Sequence, residues 1–282
     1  MRTAARLIIN ADDCGYLPEV TRGIGAAIDA GVVTATGVLA NGAGFEQACA
    51  LLAGSLRADA GVHLNLSWGS PLSGSMAQRL AQRGGRFPAP ALLVRELATG
   101  RLPIAVVEDE WRAQVERVRG AGLPIAFLNT HQHVHLWPPL RRLVLRLAAD
   151  YRVGWVRRLE PEWRESRTPA GFARGAVVTL LQALPPRPAG RGAARRDPLA
   201  IPCAGLGPSG RLDVGYLVRL VARLAPGSRT ELMCHPGYAD PSAPPPLRGY
   251  HAWEQELAAL CSAEFREACE RHRVVLSRYS AL

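Results

Sequence analysis

Leu7-Ile8-Ile9-Asn10-Ala11-Asp12-Asp13-Cys14-Gly15 reads as an apolar strand, 7–11, that runs straight into two carboxylates. Far along the chain, Ile125-Ala126-Phe127-Leu128 reads as a second strand. It delivers Asn129-Thr130-His131-Gln132-His133-Val134-His135, with three imidazoles at alternate positions. Paired carboxylates and clustered histidines at strand ends are the donor types that a divalent metal ion and its activated water require.

Outward from these two stretches, strand-like and helix-like segments alternate. Pro18 opens a helix that Gly31 closes, with Pro at the start and Gly past the end. Strands are expected over 32–40, 60–66, 152–157, 199–203, 230–234 and 274–277. Helices are expected over 45–52, 106–120, 138–150, 172–184, 212–224, 253–261 and 264–271. A Gly, Ser and Pro-rich excursion runs over 68–90. This alternation predicts an α/β protein with a sheet wrapped in helices. The sequence carries no internal repeat, and 1–282 reads as one domain. Segment 185–198, where Arg187, Arg191, Arg195 and Arg196 lie among Pro, Gly and Ala, reads as a flexible loop inserted in it. In a parallel barrel or open α/β sheet, the carboxyl ends of all strands share one face. Asp12, Asp13, His63, His131 and His235 then converge, although far apart in sequence.

Composition narrows the function classes. A chain of 282 residues that is 48% hydrophobic and 21% charged can bury a large core. The formal charge of +10 raises nucleic acid as a partner. All 34 basic residues are arginines, however, and outside 185–198 they are scattered, so nucleic-acid binding is not expected. No apolar run approaches the roughly 18 residues of a membrane span. The six cysteines form no CxxC pair and no secretory signal is visible, which points to reduced thiols in a cytoplasm. A homodimer is compatible with the sequence.

Neighbouring residues on a strand face opposite ways, so Asp12 and Asp13 can share a pocket only where the chain turns. One carboxylate can then bind a metal while the other accepts a proton from water. The structural alternative is that the pair caps the following helix, although it precedes Pro18 by several residues. His63 alone would read as a core histidine. Beside His131 and a carboxylate, it completes a ligand set with open positions. His133, His135 and Asn10 are expected as supporting or substrate contacts. Cys234 and His235 are neighbours on a strand and cannot form a nucleophile–base dyad, whereas Pro236-Gly237 turns His235 outward as a general acid. His251 and His272 read as surface residues. Gly205-Leu206-Gly207-Pro208-Ser209-Gly210 matches a dinucleotide fingerprint weakly and reads instead as a tight loop near the site entrance.

Together these residues resemble the YdjC family of carbohydrate deacetylases, a group with chitooligosaccharide and hopanoid-linked members. Five segments match in order: Asn10–Gly15, Gly61–Leu64, Thr130–His135, Glu231–Gly237 and Glu254–Leu260. The resemblance implies a distorted β/α barrel like that of the polysaccharide deacetylases, binding one divalent metal ion, Mg or Zn. Asp13, His63 and His131 would be the ligands, Asp12 the general base and His235 the general acid. The substrate would be an N-acetylated sugar or glycolipid. Two departures stand out. Cys14 replaces the usual Phe, which would reshape the pocket wall. Asn129-Thr130 replaces a frequent Asp-Ser, which would weaken the orientation of His131. The rival enzyme class is a metal-dependent phosphoesterase, which needs enough ligands for two or three ions. A non-catalytic carbohydrate-binding protein on the same fold is the third reading.

Overall fold

The computed structural model describes residues 3–160, 162, 169–183 and 201–282. Its centre is β1 (Ala5–Cys14), whose two faces have different destinations. Leu7, Ile9 and Ala11 join the main core, with Val20, Ile24 and Ala27 of helix α1 (Pro18–Asp29). Ile8 joins a separate inner cluster with Ala35, Phe127, Ile201 and Tyr279. Asn10 and Asp12 follow Ile8 with the two-residue period of a strand and are buried. Each fully buried Leu or Ile contributes about 1.5–3 kcal/mol, so the outer face anchors the strand while the inner face is free to carry polar groups.

Seven further strands arrange themselves around β1. They are β2 (Ala35–Val38), β3 (Asp59–Leu64), β4 (Ile125–Thr130), β5 (Trp155–Val156), β6 (Arg158–Leu159), β7 (Pro202–Ala204) and β8 (Arg229–Cys234). Their order is β5-β4-β3-β2-β1-β8-β7-β6, and every pairing is parallel. The two ends of this order are consecutive pieces of one segment. β5 pairs with β4, and after Arg157 the chain crosses to pair as β6 with β7. The Arg157 N–H donates to Leu128 at 3.2 Å and the Glu160 N–H to Cys203 at 3.0 Å. One short segment therefore brings the sheet round into a nearly closed, distorted β/α barrel. A last strand, β9 (Val274–Leu276), adds to the amino-terminal half of β1. Beyond it, Tyr279 packs against Phe127, with ring centroids 4.7 Å apart, in the inner cluster.

The helices between strands are α2 (Phe45–Leu52), α3 (Gly74–Leu80), α4 (Pro90–Ala98), α5 (Ile104–Gly120), α6 (Pro138–Asp150), α7 (Pro169–Ala183) and α8 (Val214–Arg223). After β8 come α9 (Pro245–Tyr250), α10 (Trp253–Cys261) and α11 (Ala263–His272). The expected alternation of elements is present, with some corrections. The 68–90 excursion contains α3, whose Ser73 hydroxyl accepts from the Met76 N–H, and Pro90 opens α4. The 32–40 strand is only four residues long, and 152–157 is two pieces split at Arg157. α9 had no expectation. The loop expected over 185–198 lies outside the described residues. Among those described, no helix is long and apolar enough to cross a membrane.

Candidate metal centre

The carboxyl ends of β1, β3, β4 and β8 open into a cavity of about 630 Å³, lined by Asp12, Asp13, His63, His131, His133 and His235 among others. Adjacent aspartates enter one cavity because β1 is bulged. Ala11 pairs with Thr36 and Cys14 with Val38, so Asp12 and Asp13 together oppose Gly37. Asp13 is left-handed, at φ 68. A bulge of this kind re-aims a side chain at a site, and a non-glycine residue held there carries about 1–3 kcal/mol of strain. The turn thus lies inside the strand rather than after it. The capping reading falls, since Leu17 caps α1 and no side chain assists it.

Asp13 sits between two imidazoles. Its Oδ1 lies 3.3 Å from His63 Nε2 and 3.0 Å from His131 Nδ1. One ligating atom from each residue lies within 4.8 Å of the others, the spread that one ion can bridge. His63 Nδ1 donates to Asn129 Oδ1 at 2.7 Å, which fixes the ring with Nε2 towards Asp13. Burial alone would raise the Asp13 pKa, but His131 and His63 hold it well below the usual carboxylate range.

Asp12 is held from behind. Arg157 donates to its Oδ2 at 2.5 Å and its Oδ1 at 2.8 Å, and Asn129 Nδ2 donates to Oδ1 at 2.9 Å. Burial pushes this carboxyl up, but Arg157 and then His63 overcome that and keep it ionised. Arg157 also donates from Nε to Glu231 at 2.7 Å, and Asn10 Nδ2 donates to the same oxygen at 2.9 Å. Asp12 and Glu231 share the one buried guanidinium, and Asp13 lies beside Asp12 against the two imidazoles, so three buried carboxylates stand against one arginine. The formal excess of two negative charges is what one divalent cation would neutralise. Donor set and charge both fit such an ion.

His235 follows β8 and lines the same cavity. Its backbone N–H donates to Glu256 at 2.5 Å, and its Nδ1 is buried without a partner. Gly237 lets the turn pack closely, since a Cβ there would meet Trp253 and Val20 at 3.2 Å. Cys234 is buried, and its Sγ lies 3.5 Å from the Asn10 carbonyl on the neighbouring strand. Burial pushes its thiol far up.

Other expected residues fall differently. His133 lines the cavity, reached through left-handed Gln132 and His133, at φ 55 and 56. Burial first, then Arg157, holds its pKa well below the ordinary value. His135 is buried, shares a 2.6 Å hydrogen bond with Thr130 Oγ1, and is pushed down by burial to about 3. Asn10 supports Glu231 and does not reach the cavity. The expected effect of Asn129-Thr130 on His131 is corrected: Asn129 bridges His63 and Asp12, and Thr130 holds His135. His272 is exposed, but His251 is not a surface residue and lines the cavity beside His235. The Gly205–Gly210 loop contributes Leu206 and Ser209 to the wall, with Glu162 accepting from the N–H groups of Gly205 and Gly207.

Arg157 and Glu231 escaped the sequence reading. Glu231 had a usable signal, an acid inside an apolar strand and four residues before His235. Arg157 had none, being one arginine among 34.

Fold and site together define a β/α-barrel protein with a candidate centre for one cation. The chain belongs to the YdjC-like protein family, whose model matches residues 6–271. A carbohydrate deacetylase of Brevibacillus brevis is 31% identical over 98% of this chain and 99% of its own length. The carbohydrate deacetylase of Mus musculus is 32% identical over 85% of this chain and 80% of its own. That of Oceanobacillus iheyensis is 38% identical over 52% of this chain, a match spanning 63% of the relative. The crystal structure of an Enterococcus faecalis V583 protein, with a suggested role in cellobiose-phosphate cleavage, superposes with a TM-score of 0.75. It is 25% identical, with 99% of this chain and 98% of that one covered.

Proposed function

We propose that this protein is a divalent-metal-dependent hydrolase that removes the N-acetyl group of an acetamido sugar or glycoconjugate. The observation that carries this reading is one cavity holding the Asp13–His63–His131 group, an ionised Asp12 and an unpartnered His235. The carbohydrate deacetylases among its relatives support the substrate class. Asp13, His63 and His131 would hold the ion. Two nitrogen donors and one oxygen suit zinc better than magnesium, which prefers oxygen alone. When bound, the ion supplies Lewis-acid polarisation of the acetyl carbonyl and makes a water more acidic.

The protein's own residues do the rest. Arg157 and Asn129 hold both Asp12 oxygens, so the carboxylate is fixed and ionised and accepts the proton of the attacking water. Water oxygen adds to the carbonyl carbon, the C–N bond breaks, and His235 gives its proton to the departing sugar amine. Acetate and a free amine are the products. Six free cysteines suit work in a reducing cytoplasm.

The test is acetate release from chitobiose and other N-acetylated sugars by protein stripped of metal and reloaded with zinc or magnesium. Asp12→Asn should keep its metal and lose roughly 10²–10⁴-fold in rate. His131→Ala should lose metal by elemental analysis. A reloaded wild type that frees no acetate, or an Asp12→Asn variant of near-normal rate, overturns the proposal.

A further inference from the structure

His251 ends α9, and three rings hold it. It stacks parallel on Trp253, with centroids 5.4 Å apart and planes 9° apart. It meets Tyr250 edge-on at 4.7 Å and lies 4.8 Å from the ring of His235. The segment is fixed on both sides, with the His251 N–H donating to Leu247 at 3.0 Å and that of Ala252 to Gly210 at 2.7 Å. An imidazole clamped this way has little freedom to search for solvent.

Its polar atoms have nevertheless been left open. No hydrogen bond reaches the ring from any described residue; Nδ1 is buried without a partner, so Nε2 is the nitrogen that a ligand in the cavity can meet. A buried polar atom left unpaired is destabilising. The rest of this wall is Pro244, Pro246, Leu247 and Tyr250, whose hydroxyl is already engaged with Ser209 at 3.2 Å. Burial, followed by the proximity of His235, pushes His251 down to about 3. It is thus a neutral imidazole, able to donate from one nitrogen and accept at the other.

Its position relative to the reacting groups says what would meet it. If the acetyl carbonyl sits at Asp13, His63 and His131, the amide nitrogen faces His235, and the next sugar substituent lies towards the ring beyond His235. We infer that His251 is a substrate-positioning residue whose ring hydrogen-bonds the sugar hydroxyl on the carbon next to the acetamido-bearing carbon. This rests on the deacetylase reading above and adds the group by which that site distinguishes a sugar from a simple amide.

The test crosses two proteins with two substrates. Wild type and His251→Leu, both metal-loaded, are assayed for acetate release from chitobiose and from its analogue lacking that neighbouring hydroxyl. Loss of one hydrogen bond should raise the wild-type KM for the deoxy analogue roughly 2–10-fold, with kcat little changed. His251→Leu should raise the KM for chitobiose by the same factor, and it should no longer distinguish the two substrates. His251→Gln, which keeps a donor and an acceptor, should recover most of the loss. Its recovery shows that the Leu variant is not merely misfolded. If the two losses multiply, or if His251→Leu lowers kcat for both substrates, the positioning role is overturned while the deacetylase reading stands. If the wild type frees no acetate from either sugar, both fall together.

Discussion

Arg157→Met is the substitution that most directly tests how the site is built. The Arg157 side chain has no exposure, and its partners Asp12 and Glu231 are 1% and 0% exposed. Met fills much of the same space but removes the guanidinium, leaving two carboxylates facing each other in the barrel interior. Breaking a buried pair by deleting one partner costs about 3–5 kcal/mol. At about 2–4 °C per kcal/mol for a chain somewhat smaller than this one, the midpoint of thermal unfolding should fall by roughly 6–20 °C. Thermal unfolding followed by circular dichroism, with and without a chelator, measures it. The loss should be larger in chelator, because nothing then offsets the excess negative charge around Asp13. Adding Glu231→Gln should regain part of the loss, since the sites share a partner and their effects do not add. An Arg157→Met midpoint within about 2 °C of wild type would refute the idea that this cation holds the two acids.

Three further outcomes follow from the same geometry. Gly23→Ala would place a Cβ 2.4 Å from the Gly237 backbone, so α1 or the His235 turn must move. It should cost at least about 1–3 kcal/mol by denaturant unfolding and lower activity, and a stable, fully active variant would refute that packing. Burial pushes Cys14 up to about 12 and Cys203 and Cys234 far up, whereas Cys49 and Cys261 are only half-buried. Iodoacetamide at mildly alkaline pH should therefore label Cys49 and Cys261 first by peptide mass mapping, and early labelling of Cys234 would contradict its burial. Asp12 has a folded-state pKa below its ordinary 3.8. Its stabilisation is complete above that value and is lost as pH falls through the folded one. The acid limb of wild-type stability should flatten in Asp12→Asn, and identical limbs would show that Asp12 is not held by Arg157.

Much of the fold was legible because it depends on local chemistry. The boundaries of α2, α6 and α10 fell where expected, since Phe45, Pro138 and Trp253 open amphipathic runs that polar or turn residues close. The shared face of Asp12, His63 and His235 was also legible, since strand period and a parallel sheet force it. What the chain's order could not reveal is every partner chosen across the barrel. The bulge that turns Asp13 inward depends on pairing with Gly37, and Asn129 has a role only because β4 lies beside β3. His251 has charged and polar neighbours in sequence, and only the return of the chain after α9 folds it against His235. Arg157 is the clearest case. Nothing local separates it from the other arginines, and its function comes from closing the barrel, which carries its guanidinium between two acids 145 and 74 residues away. Periodicity and capping act over a few residues and can be read along the chain. The charge balance of a buried site is set by distant side chains, and only the folded barrel brings those together.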